Sequence, residues 1–290
     1  MVLGLRFMDR VGKGLRTAPR DALIADATAP QDRGRAYGFH RALDHAGAVV
    51  GPLAAAALLT FEGVSLRHIF LLAAIPAAVV ILLLLLALRE APASAQTPGT
   101  GLNLAGSWRA LDFSFRRLLL AFLVFALGNS TDAFLLLSLS SSGVPPAWIA
   151  VLWSLHHSVK MLSTYWGGRW ADLLGFRRMI LAGWVLYALI YAGFASAHSA
   201  TAQIVLFMIY GIYFGFTEPA EKAWISRLVP QELRGTAFGW YHGAIGLGAL
   251  PASLLFGLIW QEWGPAAAFF TGAGLAGCAA LLLLGVQEDR

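Results

Sequence analysis

The chain has 290 residues, 58% of them hydrophobic and only 13% charged, with a formal net charge of +5. Soluble domains carry about a quarter charged residues, so this composition excludes a soluble enzyme, a nucleic-acid-binding protein and a disordered chain. The apolar runs are long and unbroken, not short and alternating, which points to membrane-spanning helices and away from a β-barrel.

A spanning helix needs about 20 mostly apolar residues. Nine candidates follow one another along the chain: 3–27, 35–59, 68–88, 117–139, 147–166, 178–197, 202–226, 235–260 and 265–286. The first is the most charged, with Arg6, Asp9, Arg10, Lys13 and Arg16 in its first two-thirds, and it lacks the apolar core of a signal peptide. The third contains the run Ile81 to Leu86. Between the third and fourth lies a polar stretch, 89–116, whose Pro92, Ser94, Thr97, Pro98, Gly99 and Gly101 mark it as a linker. The single cysteine, Cys278, excludes a disulfide within the chain, and no Cys–His spacing suits a metal.

Orientation follows from the basic residues. Arg33 and Arg35, then Arg89, Arg109, Arg116 and Arg117, then Arg169, Arg177 and Arg178, then Arg227 and Arg234 fall in or beside every second connection. The alternate connections hold Arg67 alone. The arginine-bearing side is expected to face the cytoplasm. The C-terminus is then cytoplasmic and the N-terminus outside, in a multi-pass protein of the cell's inner (plasma) membrane.

An internal repeat links distant segments. Pro30-Gln31-Asp32-Arg33-Gly34 is similar to Pro230-Gln231-Glu232-Leu233-Arg234-Gly235. Arg33, Gly34, Ala36, Gly38, Gly47 and Ala48 recur 201 positions later as Arg234, Gly235, Ala237, Gly239, Gly248 and Ala249. The shift carries the second span onto the eighth, so the repeating unit is six helices in one orientation. Residues 117–290 form one complete unit. Residues 1–88 supply three spans of another, whose first three helices are expected to be missing from this chain.

Three motifs now carry a resemblance. Gly168-Arg169-Trp170-Ala171-Asp172-Leu173-Leu174-Gly175-Phe176-Arg177-Arg178 resembles the loop motif of the major facilitator superfamily. Leu173 and Phe176 stand where basic residues are common. Gly47-x-x-x-Gly51-Pro52 resembles that family's fifth-helix motif, associated with exporters, although Ala55 and Ala56 replace its trailing glycines. Arg6, with Gly12 and Gly14, resembles the fourth-helix motif. The run from Asp9 to Asp26 is similar to a prokaryotic subgroup of permeases of unassigned substrate. The resemblance implies an all-α bundle forming the last nine of twelve helices. It also implies that Gly168, Asp172, Gly175, Arg177 and Arg178 make a cytoplasmic gate, and that Gly47, Gly51 and Pro52 pack helices.

Charges within a bilayer are costly and mark cavities or partners. Spans three, six and nine carry none in their interiors, as expected of helices facing lipid. Arg16, Arg20 and Asp21 lie in the first span, Arg41 and Asp44 in the second, Asn129 and Asp132 in the fourth, Lys160 in the fifth, and Glu218, Glu221 and Lys222 in the seventh. The last three share one helical face, as do Arg16 with Arg20 and Asn129 with Asp132. Two readings stand for these groups. One is a cavity wall that binds solute and exchanges protons, lined by Arg16, Arg20, Asp21, Asn129, Asp132, Lys160, Glu218, Glu221 and Lys222. The other is a set of ion pairs that hold helices together, the reading favoured for Arg41–Asp44. Asp172 is placed to cap a helix start or to pair with an arginine, and Gly168 and Gly175 to permit a tight turn and close helix approach. His40, His156, His157 and His242 do not have the spacing of a zinc site.

The expected function is secondary transport of a small solute, proton-coupled and outward, with no cofactor, no nucleic-acid partner and the lipid bilayer as surroundings. No nucleotide-binding motif supports ATP drive. The alternative is a non-transporting truncated membrane protein or a regulatory remnant. An intramembrane enzyme is unsupported, because no Ser-His-Asp or paired-metal arrangement is present.

Overall fold

The structure is a computed structural model that describes residues 2–61, 64–87 and 104–286. Most of the linker expected at 89–116, and the side chains of Arg6, Asp9, Arg10 and Lys13, lie outside the described residues. All regular structure among the described residues is helical. Helix α1 covers Val2–Asp26, α2 Arg33–Leu59 and α3 Leu66–Ala87. The short α4, Leu104–Ala110, precedes α5, Phe113–Gly128, and α6, Ala133–Ser141. Then come α7, Pro146–Leu174, α8, Phe176–Ser196, α9, Ala200–Leu228, and α10, Arg234–Leu284.

The nine expected spans have counterparts here, with three differences of physical interest. The span placed at 117–139 is two helices, α5 and α6, separated by Asn129–Asp132. Four short polar side chains in succession compete with the helix for backbone hydrogen bonds. Neighbours satisfy what the break frees: the Tyr187 hydroxyl donates to the Gly128 carbonyl at 2.9 Å. The fifth span, placed at 147–166, runs on as α7 to Leu174, so Gly168 is helical and only Gly175, at φ +93°, makes the turn. Conversely, the eighth and ninth spans join in α10, whose direction changes at Gly264, φ 85°, before Pro265. A left-handed glycine followed by a residue without an amide hydrogen ends one rod and starts the next.

Six segments are long and apolar enough to cross a membrane on hydropathy alone, the last of them, Gln231–Leu284, containing both rods of α10. Helices α1 and α7 are long enough at 25 and 29 residues but too polar to qualify. Their buried polar residues, Asp21 of α1 and His156, Lys160 and Thr164 of α7, face the interior of the bundle. In contrast α3 is exposed along Phe70–Leu86, as a helix in contact with lipid would be.

The core lies among α5, α7, α8, α9 and α10 and is rich in aromatics. Phe125 stacks on Trp184 with centroids 4.8 Å apart, and Tyr187 on Tyr191 at 4.1 Å. At the start of α5, Asp112 accepts a hydrogen bond from the Ser114 amide at 3.1 Å and caps the helix. That amide, with the amide of Phe113, holds the exposed Asp112 carboxyl below its ordinary range.

Small residues set two helix crossings on α7. On one side Gly168 meets Gly34 and Gly38 of α2. A Cβ on Gly38 would lie 2.6 Å from the Thr164 carbonyl oxygen, and one on Gly168 would lie 2.9 Å from the Gly38 Cα. On the adjacent side Gly167 meets Gly215 of α9, where a Cβ on Gly215 would come within 2.8 Å of the Ser163 Cβ. Backbones this close require glycine.

Candidate functional site

Polar side chains from α1, α2, α5–α6, α7, α9 and α10 converge in three clusters. The first is at the break between α5 and α6. Asp132 sits there because the chain has left the helix, and it accepts from Lys160 Nζ of α7 at 3.0 Å and from the Tyr210 hydroxyl of α9 at 3.0 Å. The ammonium also lies 3.6 Å from the centre of the Phe214 ring. Lys160 is buried and Asp132 partly open. An aromatic face and a carboxylate together compensate the buried charge. Asn129 reaches the Tyr213 hydroxyl at 3.4 Å.

The second cluster joins α2 to α9. Arg41 presents two guanidinium nitrogens to Glu218, its Nε at 2.8 Å from Oε2 and its Nη2 to Oε1, and gives Nη1 to Asp44 at 3.0 Å. His45 Nε2 stands 3.4 Å from the same Glu218 carboxylate. The pair expected within one helix, Arg41 with Asp44, is therefore real but secondary. The guanidinium fork is spent across the bundle on Glu218.

The third cluster surrounds Asp21 of α1, a carboxylate with no solvent exposure. It accepts from Lys222 Nζ at 3.0 Å, from His242 Nε2 at 2.9 Å and from the neighbouring Arg20 at 3.1 Å. Tyr37 of α2 donates to the Asp21 carbonyl at 2.6 Å. Glu221 lies near by, on α9, and accepts only from the Tyr241 hydroxyl, at 2.6 Å.

Towards the arginine-rich end the contacts become a clasp. The Asp172 carboxylate of α7 accepts from the amides of Gly34 and Arg35, each at 2.8 Å, and so caps the first turn of α2. Of the two roles open to Asp172, capping is the one it fills, and its partner helix comes from a distant part of the chain. Arg33 donates to the Ser226 carbonyl at 3.0 Å, and Arg234 pairs with Asp26. Gly168 supports the clasp by close approach, and Gly175 by the turn.

Other expected residues sit apart. Arg16 is exposed, with no hydrogen bond or ion pair among the described residues. Arg178 is exposed, and Arg177 reaches the Val286 carbonyl at 3.3 Å. Gly47, Gly51 and Pro52 were expected to pack helices. They are exposed, and a Cβ on either glycine would meet nothing within 4 Å. That face of α2 has turned away from α7, which it meets through Gly34 and Gly38 instead. Glu218, Glu221 and Lys222, expected on one shared face, each serve a different partner. An α-helix advances about 100° per residue, so neighbours three and four apart diverge enough to reach separate helices.

Sequence reading missed His45, Tyr210, Tyr213 and Tyr241. The signal for His45 was present: it follows Arg41 by four positions and shares its face. Tyr210, Tyr213, Thr217 and Glu221 likewise recur at intervals of three and four along α9.

Long apolar helices surrounding a polar interior, with paired charges between distant segments, are the architecture of a polytopic membrane protein. The family model for the Major Facilitator Superfamily matches residues 1–156 and 138–290. The chain belongs to that superfamily, whose members are transporters and not enzymes. An uncharacterised MFS-type transporter of Methanocaldococcus jannaschii is 28% identical over 96% of this chain and 70% of its own length. An uncharacterised protein of Mycobacterium tuberculosis is 24% identical over 87% of this chain and 63% of its own. Among solved structures, a bacterial homologue of the iron transporter ferroportin, in an outward-facing state, aligns with a TM-score of 0.76 at 16% identity, covering 96% of this chain and 70% of that one. At that identity the likeness concerns the fold alone.

Proposed function

We propose that this protein is a proton-coupled secondary transporter of a small solute working by alternating access. One rocking half contains the three spans of residues 1–88, the linker is 89–116, and residues 117–290 form the other half. The observation that carries the reading is the placement of the charge pairs between α1–α2 and α7–α10. They run from Asp26–Arg234 at the arginine-rich end, beside the Asp172 and Arg33 contacts to backbone, to Glu218–Arg41 in mid-bundle. Beyond Gly47, α2 has no hydrogen bond or ion pair to α7–α10 among the described residues. A closed clasp at one end and none at the other is what one limiting state of a rocking carrier requires.

The arginine-rich end is read as cytoplasmic, which makes this the outward-facing state and puts the C-terminus in the cytoplasm of a cell whose inner membrane holds the protein. Export is the proposed direction, from the likeness of the Gly47 motif to that of exporters. Solute and protons are proposed to meet at Asn129, Asp132, Lys160, Glu218 and Glu221. Arg20, Asp21 and Lys222 hold the wall beneath them, and Gly168, Asp172 and Gly175 close the gate.

Orientation is checked by introducing a cysteine at Leu174 in a Cys278→Ala background. An impermeant maleimide is expected to label it only after the cells are permeabilised, and labelling of intact cells would invert the topology. Coupling is checked in proteoliposomes containing a pH dye, challenged with a panel of amines, organic acids and sugars. Asp132→Asn, Glu218→Gln and Glu221→Gln are each expected to cut solute-driven proton flux more than about tenfold, because each removes an ionisable group from the path. Wild-type flux in all three variants would reduce these carboxylates to packing elements.

A further inference from the structure

A cavity of about 160 Å³ lies between α5, α9 and α10. Its walls are aromatic: Phe122, Phe125, Tyr213, Phe214 and Tyr241. The carboxylates of Glu218 and Glu221, the Asn129 amide and the hydroxyls of Tyr213, Thr217 and Tyr241 supply its polarity. The volume is well below the roughly 300–1,000 Å³ of pockets for drug-sized ligands, so the occupant is small.

Charge decides what kind of small molecule fits. Three buried or half-buried carboxylates surround this part of the bundle. Asp21 has Lys222 and Arg20 within ion-pair distance, and Glu218 has Arg41. Glu221, 8% exposed, has no cation within ion-pair distance among the described residues and takes a single hydrogen bond, from Tyr241. A buried carboxylate compensated by one hydroxyl leaves most of its desolvation cost unrecovered. Aromatic faces supply negative quadrupole, which attracts cations and gives nothing to anions. Both features of the wall therefore favour a positive occupant, and no cationic side chain lines it to answer an acid.

We infer that this cavity is the binding site for a small organic monocation, an alkylammonium or protonated amine, whose charge sits against Glu221 with its carbon shell against the rings of Phe122, Phe125 and Tyr213. The inference rests on reading this cavity as part of the solute path and gives that solute a chemical class. A cation and a proton would then compete for one carboxylate, so that loading the amine releases the proton, with no bond made or broken other than to hydrogen.

The probe is radiolabelled choline, whose charge does not vary with pH, bound at equilibrium to the purified full chain in detergent. Its uncharged carbon isostere, dimethylbutanol, and the benzoate anion serve as competitors. Saturable choline binding is expected, with at least about tenfold weaker displacement by the isostere and none by benzoate. Glu221→Gln keeps the Tyr241 hydrogen bond and nearly the same volume, and is expected to weaken choline binding at least about tenfold. Phe122→Leu should weaken it about three- to tenfold. Should either variant fail to fold, choline must still raise the melting temperature of the unaltered chain and the isostere must not.

Absence of saturable binding, displacement by the isostere as good as by choline, or wild-type affinity in folded Glu221→Gln would overturn the assignment. Proton flux driven by another solute, with choline binding absent, would retire the cation site and leave the transporter reading intact. Choline binding with no flux would do the reverse.

Discussion

Gly168→Leu is expected to open the arginine-rich end of the bundle, whereas Gly167→Leu, one residue away, is expected to prevent folding. The difference comes from which neighbour each glycine faces. Gly168 touches Gly34 and Gly38 of α2, across the clasp, and Gly167 touches Gly215 of α9, inside the aromatic core. A side chain at Gly168 forces α2 and α7 apart and removes the geometry by which Asp172 caps α2. Overpacking of this kind costs about 1–3 kcal/mol, and each 1.4 kcal/mol shifts a two-state balance tenfold. In the proposed alternating-access cycle the clasp opens, so the cost falls on the clasped state and is expected as a population shift. A side chain at Gly167 has no alternative state in which its clash is relieved. Spin labels at Ala29 and Leu174 report the clasp. Gly168→Leu should add a longer distance to their distribution, and Gly167→Leu should yield no monodisperse protein. Equal behaviour of the two variants would show that α7 does not divide a moving contact from a fixed one.

Asp21→Ala should be the most destabilising loss of a single charge in the chain. It strips the anion from Lys222, which is 4% exposed, and leaves His242 without its acceptor. Breaking a buried pair by removing one partner costs about 3–5 kcal/mol, mostly because the surviving charge stays buried. Asp21→Ala combined with Lys222→Met removes both charges and should recover most of that loss, giving a coupling of about 2 kcal/mol or more between the positions. Asp26→Ala is the internal comparison: Asp26 pairs with Arg234 but is exposed, so its removal should cost under about 1 kcal/mol. Denaturant unfolding in mixed micelles measures these three variants and the Lys222→Met single variant that closes the cycle. If Asp21→Ala unfolds no more readily than Asp26→Ala, the buried cluster is not a structural lock.

These two expectations draw on different levels of information. The exposed helix α3 was legible as sequence because hydropathy is additive along a chain: the run Phe70–Leu86 needs no partner to be recognised, whereas α8, equally free of charge in its interior, packs Trp184, Tyr187 and Tyr191 into the core. The arginine asymmetry and the 201-residue repeat are equally properties of residue order. They pointed to an all-helical membrane bundle and to the order of its spans, though not to the extension of α7 to Leu174 or the break at Asn129–Asp132. Asp132 and Lys160 could be picked out as costly charges, since any charge in an apolar span demands an explanation.

Partnership was not legible, because it depends on which helices cross and at what height. Arg41 has an acid three positions away on its own helix, yet its fork closes on Glu218, 177 positions distant. Glu218, Glu221 and Lys222 read as one polar face, but three neighbouring helices divide them among Arg41, Tyr241 and Asp21. The Gly47 motif matched a packing pattern and meets no helix among the described residues, while Gly34 and Gly38, noted only as members of the repeat, carry the tightest contact of α2. Periodicity fixes the direction in which a side chain leaves its own helix. Only the tertiary structure decides what stands there to receive it, and on that depends which buried charge meets a cation and which, like Glu221, meets a single hydroxyl among the described residues.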